Sequence, residues 1–246
     1  MNIERYLARI QADKKEPGLE ELAQLQKSHM KSIPFENLDV IRKVPIRLDT
    51  DQFYKKVVEN GRGGFCYELN GLFQTFLSAM GYSSALISCT VKTPGGWAKE
   101  NSHAAILVYL DQPYLTDVGF GDSARQPIPL DGTIKEDESG KYKVRDLGDG
   151  CYDLMHYASG EWQIKYRFSE EKRSLDFFKD SCDFNQTSAE SPFTKDDIIT
   201  IASENGRITL SGNTLVKTEN GEKIKTDLDK GAKREALKVF FGITGA

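Results

Sequence analysis

Of the four cysteines in this 246-residue chain, Cys66 is the one placed to act as a nucleophile. Leu69, Leu72, Phe73, Phe76, Leu77 and Met80 recur behind it at helical spacing, the mark of a helix with one buried face. The pair Gly63-Gly64 cannot propagate a helix cheaply, and Gly81 suits the left-handed residue just past a helix end. The spacing therefore predicts a helix from near Cys66 to Met80, with the thiol in its first turn. There the unpaired N–H groups and the positive end of the helix dipole favour a thiolate, the form of cysteine that attacks electrophiles. A buried, inert thiol is the default for Cys89, Cys151 and Cys182. Cys66 is set apart by the two glycines ahead of it, which would let the backbone approach a ligand closely.

A nucleophilic thiol needs a base, and the base needs a group that fixes its orientation. Three histidines compete for the first role. His29 falls among Leu22, Leu25 and Ile33, a packed setting, and His156 lies in a Met-His-Tyr run with no acidic neighbour to align it. His103 instead opens the apolar run His103–Leu110, whose other residues need no polar group. Asp117 interrupts Tyr114–Phe120, expected to be the second strand of the same hairpin, where an ionised carboxylate is costly unless paired. Side chains alternate across a strand, so His103 and Asp117 share a face only if opposing residues have numbers that sum to an even value. A loop of three or five residues gives that parity and a two-residue turn does not; the sequence leaves the register open. With the right register, Cys66, His103 and Asp117 form a triad, with backbone N–H groups near Cys66 as oxyanion donors.

The elements that must position these residues follow from the rest of the pattern. Ile3, Tyr6, Leu7 and Ile10, then Leu22, Leu25, His29 and Ile33, predict two helices, and Asp51–Asn60 predicts another, ended by Gly61. Between them Glu36 is a charge amid apolar neighbours; buried, it needs a partner, and Arg62 is the candidate. After Gly81 the chain reads as short strands: 85–91, 103–110, 114–120, 142–144, 152–157 and 162–168, suiting a small barrel or curled sheet. The polar stretch 131–141 is expected to be an exposed, mobile loop. Strands at 197–202, 207–210 and 214–218 and a helix at 233–241 close the chain.

A net charge of −4 and the lack of a basic run argue against a nucleic-acid surface. No secretory signature or membrane-length apolar run is present, so a cytosolic location is expected. The cysteines and histidines lack metal-ligand spacing, so free thiols and no metal are expected.

Arg62-Gly-Gly-Phe-Cys66-Tyr-Glu-Leu-Asn-Gly-Leu-Phe73 closely resembles the active-site motif of the arylamine N-acetyltransferases. So do Ile33-Pro-Phe-Glu-Asn-Leu38, His103 and the block Asp117-Val-Gly-Phe-Gly121, and Ser191-Pro-Phe193 resembles the motif leading into that family's C-terminal lid. The resemblance implies an α+β fold with a papain/transglutaminase-like catalytic core in three units. These are a helical bundle carrying the cysteine (1–83), an antiparallel β-barrel carrying His and Asp (84–190) and an α/β lid (191–246). It implies a ping-pong reaction in which Cys66 takes an acetyl group from acetyl-coenzyme A and passes it to an arylamine or hydrazine. It further implies that Phe35, Phe120 and Phe193 wall the acceptor pocket and that Ser102 lies near the pantetheine. A cysteine hydrolase or an amide synthase would use the same triad, so the fate of the acyl-cysteine is the open point. The physiological acceptor and the oligomeric state are not legible.

Overall fold

The computed structural model describes residues 1–244, so the last two residues of the expected third unit lie outside the described residues. Helices α1 (Ile3–Ile10) and α2 (Leu19–Ser32) form where the helical repeat places them. Asn2 caps α1 by accepting the Arg5 N–H at 3.0 Å, and the Tyr6 ring stacks on Phe76 with centroids 4.1 Å apart. The chain then crosses as strand β1 (Phe35–Glu36) and the single turn α3 (Leu38–Ile41). The helix expected over 51–60 is α4 (Thr50–Tyr54), capped by Asp49 and continued as a wider π turn, Lys55–Glu59. Helix α5 (Cys66–Ala79) begins at Cys66, and Gly81 adopts φ +96°, as the sequence requires. Its Leu69, Leu72, Phe73, Phe76 and Leu77 are wholly buried in the helical core.

The middle of the chain is antiparallel sheet: β2 (Ser83–Thr93), β3 (Gly96–Trp97), β4 (His103–Tyr109), β5 (Pro113–Thr116) and β6 (Ile128–Pro129), followed by β7 (Lys135–Asp137), β8 (Gly140–Gly148), β9 (Cys151–Ala158) and β10 (Glu161–Arg173). The strands run in the order β6-β5-β4-β2-β10-β9-β8-β7, with β3 on β2, and β6 comes up against β8, so the sheet curls into a nearly closed barrel. Beyond His103, strand β4 is apolar because both its faces are covered. Ala104, Ile106 and Val108 pack with the helices, whereas Ala105 and Leu107 point into the barrel.

Two expectations are corrected here. The strand expected over 114–120 stops at Thr116. Asp117 bends the chain by accepting the Gly119 N–H at 2.9 Å, and Gly119 then packs against Cys66 so tightly that an added Cβ would lie 2.8 Å from the Cys66 Cα. The stretch 131–141 is not a mobile loop. It contains β7, hairpinned onto β8, and Asp137 ties it down by accepting the backbone N–H groups of Arg125 (2.6 Å) and Ser139 (2.7 Å).

The last third holds α6 (Lys179–Thr187), strands β11 (Ile198–Ser203), β12 (Gly206–Ser211), β13 (Thr214–Glu219) and β14 (Glu222–Asp227), and helix α7 (Lys230–Phe241). These strands form a five-stranded sheet, β1-β11-β12-β13-β14, so the segment next to Pro34 is stitched directly into the C-terminal sheet. Ile199, Ile201, Leu210 and Leu215 pack beneath α7 against Leu237 and Phe241. The other face, with Thr200, Arg207, Thr209 and Thr218, turns toward a cavity. Strand β14 was not foreseen; every residue in it is exposed, so no apolar alternation marks it. Among the described residues no helix is long and apolar enough to cross a membrane.

Candidate active site

The loop that delivers Cys66 to the start of α5 is held by a charged network. Glu36, fully buried, bonds Arg62 through Nη2 (2.7 Å) and Nε (2.9 Å), as the sequence suggested. Arg62 also holds Asp39 (2.9 Å), and Asp39 holds Lys56 (2.8 Å), which in turn reaches Glu68 in the first turn of α5 (2.9 Å). Burial pushes the Glu68 carboxyl up to about 7, against the opposing pull of Lys56. Removing one member of a buried pair of this kind leaves an uncompensated charge at a cost of about 3–5 kcal/mol.

The two glycines serve this same packing. A Cβ on Gly63 would meet the Pro34 carbonyl oxygen at 2.0 Å, and one on Gly64 would meet the Glu68 side chain at 2.8 Å. Close approach between segments of this chain therefore accounts for both glycines, in place of the ligand approach inferred from the sequence.

The structure brings Cys66, His103 and Asp117 together. Ile106 pairs with Thr116 and Leu107 with Leu115, across a three-residue loop, so the register has the even parity that puts His103 and Asp117 on one face. His103 Nε2 lies 2.7 Å from Asp117 Oδ2, leaving Nδ1 for the Cys66 thiol. Burial would discharge the His103 ring, but the charge and hydrogen bond of Asp117, with a further contribution from Cys66, push it up to about 10. Burial likewise opposes ionisation of Asp117, yet His103, Asn70 and the Gly119 N–H hold its carboxyl below the usual range.

Two members of this network were not anticipated. Asn70, one turn along α5 from Cys66, donates to Asp117 Oδ1 (2.8 Å) and to the Ala104 carbonyl (2.6 Å), and accepts the Val118 N–H (3.0 Å). It thereby locks the helix to the two barrel segments carrying His103 and Asp117. Tyr166 donates its hydroxyl to Asp117 Oδ2 at 3.0 Å from the barrel interior. The spacing of four between Cys66 and Asn70 was a signal for the first; nothing in the sequence marked Tyr166.

Cys66 is buried, at 3% exposure, but it borders a cavity of about 1050 Å³ shared with His103. Phe35, Phe120, Phe193 and Ser102 line the same space. The Phe35 and Phe193 rings are 5.9 Å apart, and Phe120 meets the His103 ring edge-on at 5.2 Å. Ser102 Oγ accepts the Val91 N–H, and its carbonyl accepts from Asn185.

The other titratable candidates lie elsewhere or have other work. His29 is wholly buried with Nδ1 against the Tyr6 hydroxyl (2.7 Å), and burial lowers it to about 3. His156 stacks on Tyr142 with centroids 4.5 Å apart. Cys89 and Cys182 are buried as expected, whereas Cys151, at the exposed start of β9, is not. Among the described residues no cluster of His, Cys, Asp or Glu is gathered to hold a metal ion.

A thiol, an imidazole and a carboxylate in series beside an apolar cavity form the apparatus of a cysteine-based acyl-transfer enzyme. A family model described as N-acetyltransferase matches residues 18–245, and the chain belongs to the arylamine N-acetyltransferase family. It is similar to the arylamine N-acetyltransferase of Mycolicibacterium smegmatis, at 30% identity over 99% of this chain and 92% of that one. Among solved structures it is similar to an enzyme of the same family from Bacillus cereus (27% identity, 99% of both chains, TM-score 0.93), described as having a unique Cys-His-Glu catalytic triad. It is also similar to the Mycobacterium marinum arylamine N-acetyltransferase solved in complex with CoA (30% identity, 98% of this chain and 93% of that one, TM-score 0.92). In the present chain the carboxylate on the histidine is an aspartate, Asp117.

Proposed function

We propose that this enzyme moves an acetyl group from acetyl-coenzyme A to an arylamine or hydrazine by a ping-pong mechanism through an acetyl-Cys66 intermediate. The observation that carries the reading is the pairing of a charged, Asp117-held His103 with a thiol that borders an aromatic-walled cavity. In this reading Cys66 reacts as a thiolate against the charged His103, with Asp117 fixing the ring and stabilising its charge. The thiolate attacks the thioester carbonyl carbon, and first-turn N–H groups of α5, which have no carbonyl one turn back to bond, stabilise the oxyanion. As the carbon–sulfur bond to coenzyme A breaks, His103 protonates the leaving thiolate. The incoming amine then attacks acetyl-Cys66, His103 takes a proton from its nitrogen, and the Cys66 thiolate leaves.

Phe35, Phe120 and Phe193 suit a flat apolar ring, and Ser102, beside His103, stands on the route of the pantetheine arm. The bound CoA in the Mycobacterium marinum relative supports the choice of donor. In this reading the Glu36–Arg62 pair is structural. The division at about residues 83 and 190 assigns the nucleophile to the helices, its partners to the barrel and the cover to the C-terminal unit.

The test measures coenzyme A release with and without an arylamine. Release that requires the amine and matches the acetylated amine formed supports transfer. Steady release without amine would identify a hydrolase instead.

A further inference from the structure

A second cavity, of about 690 Å³, lies between α6 and the chain that leaves α3, and among the described residues it shares no lining with the one that Cys66 borders. Helix α6 divides the two. Lys179, Cys182, Asp183, Gln186 and Thr187, at helical spacing, face this cavity, whereas Phe184 and Asn185 face the other. The opposite wall is a strap, residues 43–48, whose course is fixed in two places. Lys43 turns it out of α3 in the left-handed region (φ +56°), and the Val44 N–H donates back to the Asp39 carbonyl at 2.8 Å. Further on, the Gln186 amide accepts the Ile46 N–H at 2.7 Å and donates to the Ile46 carbonyl at 3.0 Å. The space is therefore preformed, and its volume falls within the roughly 300–1,000 Å³ usual for small-molecule sites.

Its lining suits a flexible apolar chain. Val40, Ile41, Val44, Ile46 and Leu48 make an aliphatic wall, and no aromatic ring stands among the described lining residues. Cys182 adds a buried thiol that burial pushes up to about 12, so it stays neutral. Charge enters at the rim. Lys179 is engaged by Asp183 at 2.6 Å, which leaves Lys43 and Arg47 on the strap with no carboxylate partner among the described residues, against Asp176 on the far side. An aliphatic wall under an excess of cation complements a hydrocarbon chain that ends in a carboxylate. The two walls also hold the nucleophile. Asp39, next to Val40, binds Arg62 (2.9 Å) and Lys56 (2.8 Å). Asn185, next to Gln186, donates to the Tyr67 hydroxyl and to the Ser102 carbonyl, each at 3.3 Å, and these residues adjoin Cys66 and His103.

We infer that this cavity is a second ligand site, for an aliphatic carboxylic acid, and that its occupancy alters the reactivity of Cys66. The chain lies against the aliphatic wall, and the carboxylate meets Arg47, with Lys43 adding charge. A ligand wedged between strap and α6 bears at once on the Asp39 and Asn185 contacts, the two that flank the nucleophile, which is the differential contact that coupling between sites requires. The inference goes beyond the acetyl-transfer reading and does not depend on it.

The test titrates octanoate and its uncharged analogue 1-octanol into the full chain by calorimetry. The wild type should bind the acid more tightly than the alcohol. Arg47→Glu, at an exposed position that the fold tolerates, should weaken octanoate about tenfold or more and leave 1-octanol unchanged. Val44→Trp, also at an exposed position, narrows the mouth and should weaken both. The second readout is the rate at which iodoacetamide alkylates Cys66, followed by peptide mass spectrometry. Saturating octanoate should change that rate about threefold or more in the wild type, and the same concentration should leave it unchanged in Arg47→Glu. No binding of octanoate, an affinity unaltered in both variants, which would place the acid elsewhere, or an alkylation rate unmoved at saturation overturns the inference.

Discussion

Asp117→Asn changes almost no volume but inverts the hydrogen-bond demand at the centre of the site. The carboxylate accepts from His103 and Tyr166 at Oδ2 and from Asn70 and Gly119 at Oδ1. An amide has one acceptor oxygen and one donor nitrogen. With the nitrogen toward Gly119 it would face a fixed backbone N–H that cannot accept, so the favoured orientation points it at His103 and Tyr166. Tyr166 can rotate its hydroxyl, but His103 can accept only at an unprotonated Nε2. The proton then sits on Nδ1, the nitrogen that must accept from Cys66.

The ring also loses the charge that keeps it protonated, so the burial that otherwise dominates leaves it neutral. The fall from about 10 to the ordinary value near 6.5 corresponds to about 5 kcal/mol of lost stabilisation of the imidazolium. Acetyl-enzyme formation, followed by rapid quench and mass spectrometry under excess acetyl-coenzyme A, should slow by ~10³–10⁴, the scale seen when a triad is forced into the wrong tautomer. A second readout is stability. A group whose pKa is raised in the folded state contributes fully below its unfolded value near 6.5 and loses that contribution as pH rises through about 10. Urea midpoints of the wild type should therefore fall more steeply over that range than those of the variant. A variant that loads acetyl within tenfold of the wild-type rate, with an unchanged alkaline slope, would refute the assigned roles of Asp117 and His103.

Two other perturbations probe the scaffold. Gly119→Ala inserts a methyl group 2.6 Å from Asn70 Nδ2 and 2.8 Å from the Cys66 Cα, which α5 cannot move to avoid. It should cost about 1–3 kcal/mol in urea denaturation and slow acetyl loading about tenfold or more; wild-type values for both would mean that the helix–barrel contact is looser than described. His29, lowered to about 3 by burial, binds its proton more readily in the unfolded chain. Stability should fall as pH drops below 6.5, by about 1.4 kcal/mol per unit from this group until pH nears 3, and the slope should flatten in His29→Gln. Parallel curves for the two proteins would show that His29 is not the acid-sensitive group.

Much of the site was legible because its parts announce themselves locally. The helical repeat behind Cys66 fixed the thiol at a helix start, and a lone carboxylate in an apolar run demanded a partner, true of both Glu36 and Asp117. The pairing of Glu36 with Arg62 followed from the same cost of burying charge. Other features depend on what packs against them. Asn70 looks like one more polar residue on a helix until the barrel brings Asp117 and Ala104 to it, and Tyr166 is an ordinary strand tyrosine until the barrel closes. Gly63 and Gly64 drew the right attention for the wrong reason, since a glycine reports close approach without naming what approaches. Strand β14 has no buried face to give it a period, and β7 is polar enough to read as loop. The end of β5 at Thr116 could not be read either, because it follows from the turn that Asp117 makes to bring Gly119 against Cys66.

In the proposed reaction the Cys66 sulfur carries the acetyl group between donor and amine. Peptide-resolved mass spectrometry after mixing the enzyme with acetyl-coenzyme A alone measures this most directly. One acetyl group is expected on the peptide containing Cys66, lost on addition of an arylamine in step with the acetylated amine formed. Acetylated amine appearing with no acetyl on that cysteine, or in a Cys66→Ala variant at the wild-type rate, would contradict it.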